Sequence, residues 1–298
     1  MNDTVIRIDH LIKYYGKTIG VDDISFAVEK GEVFGFLGPN GAGKTTTIRL
    51  MLGLLGGNTG EIHLFGETDR TKITRLRDRI GYLSGEFRAY DFMKAGTFLD
   101  YISRYRQSPP KLQDQLLSRF RIDNAHLNQR IKNLSHGNRQ KIGLVMAMQH
   151  DPDLLILDEP TIGLDPFMQE AFYETVMEFR DRGKTVFLSS HILSEVDKIC
   201  RRVAIIREGK IAAVETLEEL KKKQRRRMII QFKDGTPAVP LAGADLLEQR
   251  GNRITYQIRD SWQPVLQALA SLPVENITIP EAELEDIFFA YYQDGRNA

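Results

Sequence analysis

The chain has 298 residues, room for one large domain or two modest ones, and its 42% apolar and 27% charged residues are an ordinary mix for a globular protein. Its 41 Lys and Arg against 40 Asp and Glu leave a formal charge of +1, so it lacks the global basic field that a nucleic-acid binder carries. One cysteine, Cys200, excludes an intramolecular disulfide framework and fits a reducing compartment; no run of about twenty apolar residues offers a spanning helix, and MNDTVIRIDHLIKYYGK lacks the apolar core of a secretory signal, so a membrane role is expected only through a partner.

In chain order, VIRIDHL (Val5–Leu11) and VFGFLG (Val33–Gly38) are apolar and rich in β-formers and predict strands. A helix is expected from Gly43–Lys44 through TTTIRLMLGLL, and RDRIGYL (Arg77–Leu83) ends in another short strand. From about Phe98 to His150, strand signals give way to helical periodicity in TFLDYISRYR, KLQDQLLSRF and RQKIGLVMAMQ. DLLILDEP, bounded by Pro152 and Pro160, has the length and continuity of a buried parallel strand. QEAFYETVMEFRDRG predicts an amphipathic helix stopped at Gly183, and KTVFLSSH and RVAIIREGKIAAVE predict further strands. The pattern predicts an α/β fold with a parallel-sheet core and a helical segment inserted at about 86–150. After Glu215 the character changes: LEELKKKQRRR leads into strand-like MIIQFKD, then GTPAVPLAGA, then a tail ending AELEDIFFAYY. A first domain over 1–218 and a small α+β domain over 219–298 are expected.

GPNGAGKTT fits G-x-x-x-x-G-K-[ST] and stands between a predicted strand and a predicted helix, the context that motif requires. Gly38, Pro39, Asn40, Gly41, Ala42, Gly43, Lys44, Thr45 and Thr46 are therefore expected to wrap phosphates, the glycines turning successive N–H groups inward at the positive end of the helix. Lys44 would supply a point charge to the β- and γ-phosphates, and the Thr45 hydroxyl would ligate Mg²⁺. A bare strand–helix turn needs neither the lysine nor the hydroxyl. LLILDEP sets Asp158 and Glu159 at the carboxyl end of a buried strand, the edge where open α/β sheets bind ligands. Asp158 is expected to face Mg²⁺ through water. Glu159, pointing the other way along the pleat, is expected to polarise an attacking water.

With these residues in place, the chain resembles the ATP-binding subunits of ABC transporters over roughly Val5–Val214. The resemblance implies a P-loop NTPase fold of the ABC type, a parallel sheet with an antiparallel β subdomain and an inserted helical subdomain, acting on ATP with Mg²⁺. It matches Asp165 in GLDP to the loop after the catalytic glutamate, and His191 in LSSHILSEVD to the histidine that orients the water and touches the γ-phosphate. Catalysis would then rest on Lys44, Glu159 and His191. Tyr15 in KYYGK matches the aromatic that stacks on adenine, with Tyr14 beside it as the competing ring.

LSHGN falls where the family carries its signature, usually Leu-Ser-Gly-Gly-Gln. The segment opens a helix, so Ser135 and the N–H groups around Gly137 would present donors to a γ-phosphate held by the other subunit of a head-to-tail dimer. His136 and Asn138 depart from the consensus. A second departure is GYLSGEF, where Gly85 takes the place of the usual glutamine and Glu86, one residue on, is the candidate oxygen donor to Mg²⁺ or water.

LSHGNRQKIGLVMAMQHDPDLLILDEPTIGLDP resembles the exporter branch with ABC-2-type permeases, as does the ELEDIFFAYY tail. The resemblance implies a transmembrane permease partner, a homodimer or a heterodimer with a paralogous ATPase subunit, no nucleic-acid partner, and a cytoplasmic place at the inner face of the cell membrane through the permease. In the tail, Phe288, Phe289, Tyr291 and Tyr292 are expected to form an apolar face docking the last helix. KKKQRRR (Lys221–Arg227) reads as a solvated helix end, with contact to anionic headgroups as the other reading. A soluble ABC-type ATPase not coupled to transport and an ATP-dependent dimerisation module with negligible turnover share the same motifs. Against the first, no long coiled coil fits between the phosphate loop and LDEP, and only one phosphate loop is present; against the second stand Glu159 and His191.

Overall fold

The computed structural model describes residues 4–68, 76–87, 89–106, 109–223, 227–233, 240–259 and 262–280. The chain divides into two compact units, 1–216 and 217–298. Unit one begins with β1 (Thr4–Tyr15), β2 (Thr18–Glu29) and β3 (Val33–Leu37), followed by helix α1 (Lys44–Met51) and β4 (Thr59–Leu64). After β5 (Ile80–Leu83) come the helices α2 (Ala95–Arg106), α3 (Gln113–Arg119), α4 (Asn124–Asn128) and α5 (His136–Met148). The unit closes with β6 (Leu154–Asp158), α6 (Pro166–Asp181), β7 (Thr185–Ser190), α7 (Leu193–Ile199), β8 (Arg202–Arg207) and β9 (Lys210–Thr216).

Every residue of β3, β6 and β7 is buried. A strand covered on both faces must be apolar throughout, which is why VFGFL and LLILD do not alternate. They sit inside a six-stranded sheet of order β5-β6-β7-β3-β8-β9, parallel from β5 to β8, with β9 antiparallel at the edge. The register sets Leu37 beside Ser190 and Asp158 beside Ser189. The strand ends that carry the phosphate loop, the acidic pair and His191 are therefore neighbours along one edge.

A three-stranded antiparallel sheet, order β2-β1-β4, covers this core. Phe26 of β2 packs on Phe34, Phe36 and Phe187, ring centroids 5.3–6.1 Å apart, and joins the two sheets through one aromatic cluster. β2 was not among the strands expected from the sequence. Its pairing with β1 slips at several points, and His10 (φ 49°) and Asp23 (φ 52°) form a bulge closed by a 2.8 Å contact between His10 Nδ1 and Asp23 Oδ1. Bulges break the simple alternation that would have marked the strand. Helix α1 also stops earlier than its apolar run suggests. Gly53 takes a left-handed φ of 68° just past the Leu52 cap, a common helix stop.

The helical segment lies between β5 and β6 in the chain, as periodicity implied. Arg106, at the end of α2, donates from Nη1 to the carbonyls of Arg77 and Ile80, and lies 3.2 Å from His150 Nε2. Burial, with Arg106 alongside, pushes the His150 imidazole down to about 4.

Unit two contains α8 (Leu217–Lys223), β10 (Arg227–Phe232), β11 (Ala244–Arg250), β12 (Arg253–Ile258), α9 (Trp262–Leu269) and β13 (Val274–Thr278). Its strands form an antiparallel sheet of order β11-β12-β10-β13. Met228, Ile230 and Phe232 alternate inward on β10, Ile254, Tyr256 and Ile258 on β12, and α9 adds Val265 and Leu269 to the same core. The basic run begins in α8, while residues 224–226 and the tail aromatics Phe288, Phe289, Tyr291 and Tyr292 lie outside the described residues. No helix among the described residues is long and apolar enough to cross a membrane.

Candidate active site

The loop between β3 and α1 closes around its own lysine. Gly43 has φ 111°, and a Cβ there would stand 2.6 Å from the Gly20 carbonyl oxygen, so only glycine lets the chain turn into α1 at this point. Lys44 is only 6% exposed. Its Nζ donates to the carbonyls of Gly38 at 2.6 Å and Pro39 at 3.2 Å, and lies 3.0 Å from Glu159 Oε1. Oε1 accepts no aligned hydrogen bond, so its tie to Lys44 is an ion pair. The neighbouring Thr45 hydroxyl donates to Asp158 Oδ2 at 2.8 Å.

Pleat alternation alone would send Asp158 and Glu159 in opposite directions. Instead both reach successive residues of the same loop, because Glu159 lies past the strand end in a left-handed conformation, φ 50°. A non-glycine residue held there stores strain of order 1–3 kcal/mol. It is held by its N–H, which donates to both the carbonyl and the hydroxyl of Ser189. The Ser189 hydroxyl in turn donates to Asp158 Oδ1, leaving both Asp158 oxygens bonded to hydroxyls. On the next strand, His191 Nδ1 lies 2.7 Å from Glu159 Oε2. Lys44, Glu159 and His191 thus form one continuous chain of polar contacts, with Glu159 in the middle.

Two partners of this chain were not anticipated. Ser189 bonds the Asp158 carboxylate and the Glu159 backbone N–H, and so fixes both acidic residues at the strand end. Glu195, on α7 and only 3% exposed, accepts from the Ser190 hydroxyl at 2.8 Å and from the Thr161 hydroxyl. The only sequence clue was an acid four positions after His191, in SSHILSEVD, which surface helices supply routinely.

Tyr15 lines the cleft at the loop with Pro39, Gly41 and Thr46, and is 46% exposed. Tyr14 is tied to Asp22 through its hydroxyl at 3.0 Å. Ser135 caps α5, accepting from the Asn138 N–H at 3.2 Å, and Asp165 caps α6, accepting from the Met168 N–H at 3.1 Å. The two caps meet: a Cβ on Gly137 would stand 2.6 Å from the Gly163 carbonyl oxygen, and the His136 ring lies against Gly163, whose Cβ would fall 2.2 Å from Cδ2. At the second departure, Gly85 stands against Asp158, its would-be Cβ 3.4 Å from Oδ2. Glu86 is exposed, and its carbonyl accepts from the Ser84 hydroxyl at 3.1 Å.

Burial raises the Glu195 carboxyl to about 7; the Glu159 charge also raises it, while the Ser190 hydrogen bond and His191 oppose the shift. Between its ordinary value and about 7 the folded protein holds a proton that the unfolded chain has released, so this group makes stability fall as pH rises through that window. Glu195→Gln removes that fall. Its Tm relative to wild type is expected to be higher at about pH 8 than at about pH 5, by about 2–4 °C per kcal/mol of linkage. Thermal melts at the two pH values check this, and an offset independent of pH would contradict it.

Residues 21–162 match the ABC transporter family. Among curated relatives, the bacitracin transport ATP-binding protein BcrA of Bacillus licheniformis is 34% identical over 96% of both chains. The Nod factor export ATP-binding protein I of Rhizobium johnstonii is 33% identical over 82% of this chain and 77% of its own. Among solved structures, the ATP-binding subunit of an ABC transporter superposes with a TM-score of 0.68 at 28% identity, over 74% of this chain and 93% of that one. Phosphate loop, acidic strand end and histidine lie together on this fold, with the signature at the start of α5, and the chain belongs to the ATP-binding proteins of the ABC transporter family.

Proposed function

We propose that the chain hydrolyses ATP as the motor subunit of an exporter, dimerising around two Mg-ATP and driving a separate ABC-2-type permease at the cytoplasmic face of the membrane. The observation that carries this is the Lys44–Glu159–His191 chain at 3.0 and 2.7 Å beside the phosphate loop. The names of the relatives, bacitracin transport and Nod factor export, support a transport role for this chain and its direction.

The roles follow from the chemistry of each group. The loop N–H groups and Lys44 would bind the β- and γ-phosphates, and Tyr15 offers an exposed π-face to adenine. Thr45 and Asp158 present hard oxygen donors of the kind Mg²⁺ takes alongside substrate phosphates. Among the described residues no group of three or more His, Cys, Asp or Glu would hold a metal alone, so the ion would share this edge with phosphate oxygens and water. When bound, Mg²⁺ neutralises charge on the β- and γ-oxygens. Glu159 is placed to accept a proton from the attacking water, and His191 holds its carboxylate in orientation through Oε2. Glycine at position 85 puts no side chain in the place of the family's glutamine, and Glu86, one residue on, is the proposed oxygen donor to Mg²⁺ or water. Ser135 and the N–H groups around Gly137 would face the partner subunit's γ-phosphate, and Asp165 fixes the turn beside them. Residues 217–298 form an accessory α+β unit with its own core.

Lys44→Ala is expected to lower phosphate release by about 10²-fold or more, and unchanged turnover in the purified protein would remove the site assignment. Glu159→Gln keeps the nucleotide contacts and loses the base, so size-exclusion chromatography with Mg-ATP should show a stable dimer; a monomer that still hydrolyses ATP would overturn the role given to Glu159. Ser135→Ala is expected to damage hydrolysis far more than His136→Gly, because the hydroxyl caps α5 while the imidazole packs on Gly163. The reverse order would show that position 136 carries the signature.

A further inference from the structure

Glu195 is costly where it stands. It is 3% exposed, on a seven-residue helix whose other buried side chains, Leu193, Val196 and Ile199, are apolar. Among the described residues no lysine or arginine pairs with it, and an unpaired carboxyl out of water is destabilising unless its oxygens are hydrogen-bonded. Both are bonded: the Ser190 hydroxyl donates to Oε2 and the Thr161 hydroxyl to Oε1. Ser190 directly precedes His191, and Thr161 follows Glu159 by two residues. One carboxyl therefore ties together the strand end that carries the base and the strand end that carries the histidine.

Other bonds make the tie stiff. Ser190 Oγ accepts from the Ile192 N–H at 2.9 Å and so fixes the turn just past His191. Pro160, between Glu159 and Thr161, has its carbonyl bonded by Gln140 Nε2 at 2.9 Å. The charged and titratable groups facing Glu195 are Glu159 and His191 from the strand ends and Tyr173 on α6, whose phenol burial and the Glu195 charge push up to about 12; the buried Cys200 thiol, raised by burial and then by Glu195, faces it from the end of α7.

We propose that Glu195 is a positioning residue for hydrolysis: through Thr161 and Ser190 it sets the contact between His191 and Glu159. This rests on the ATPase function proposed above. It assigns to α7 a task other than helix packing.

The test uses the full chain with Glu195→Ala, Glu195→Gln and Thr161→Val. Steady-state ATP hydrolysis, binding of a fluorescent ATP analogue with Mg²⁺, and the side-chain ¹⁵N signal of His191 in nucleotide-free protein are measured. The signal is assigned by its loss in His191→Gln and followed at about pH 6, where Glu195 is mostly neutral. Glu195→Ala is expected to lower kcat by about tenfold, to leave analogue affinity within about twofold, and to move the His191 signal. Glu195→Gln keeps a group that bonds both hydroxyls; it is expected within about threefold of wild-type kcat, with the His191 signal near its wild-type position. A loss shared equally between kcat and affinity, a glutamine as damaging as alanine, or an unmoved His191 signal would each overturn the proposal. If Glu195→Ala does not fold, Thr161→Val, which removes a single bond, must still lower kcat and move the signal. A wild-type protein without turnover would instead overturn the ATPase function, and the His191 signal then decides the positioning role by itself.

Discussion

A lysine ammonium buried to 6% exposure governs this edge of the sheet. Removing such a charge from water costs several kcal/mol unless oxygens surround it. Two of those oxygens, the Gly38 and Pro39 carbonyls, come from the loop itself, and the third belongs to Glu159 on another strand. The loop can close in this shape only if β6 ends within reach of β3. The order β6-β7-β3 meets that requirement, with Ser189 of the intervening β7 bonding the Asp158 carboxylate and the Glu159 N–H, and His191 just past β7 meeting the Glu159 carboxylate. The antiparallel sheet and the aromatic cluster around Phe26 then hold β3 and β7 in place from one face.

What could be read from the sequence was what the chain specifies locally. The phosphate loop needs nine adjacent residues and a following helix, and the acidic pair needs one buried strand; both are short enough to be written as words. The partners of these groups are set by tertiary placement. Ser189 matters because strand register puts it opposite Asp158, and Glu195 because α7 turns that face inward; nothing in SSHILSEVD marks either residue. The opposite directions expected for Asp158 and Glu159 assumed that the strand continued, whereas the left-handed turn at Glu159 ends it. Tyr14 and Tyr15 could not be ranked by composition; the bond from Tyr14 to Asp22 leaves Tyr15 as the ring in the cleft.

The two units were legible to different degrees for a related reason. In unit one, continuous apolar strands announce a sheet covered on both faces. In unit two, β10 and β12 alternate cleanly because only one face of their sheet meets α9, and such short alternating runs carry less signal than a long buried strand. β2 was hidden by its own bulges, a cost of fitting a twelve-residue strand against β1 with two residues in left-handed conformation.

The contact between Gly137 and Gly163 leaves no room for a side chain at either position. Two backbones approach this closely, with the His136 ring against the second, so the turns that carry the caps of α5 and α6 pack directly on one another. Glycine is thus required at 137 and 163 by the neighbouring turn, a constraint that each turn places on the other rather than on its own helix.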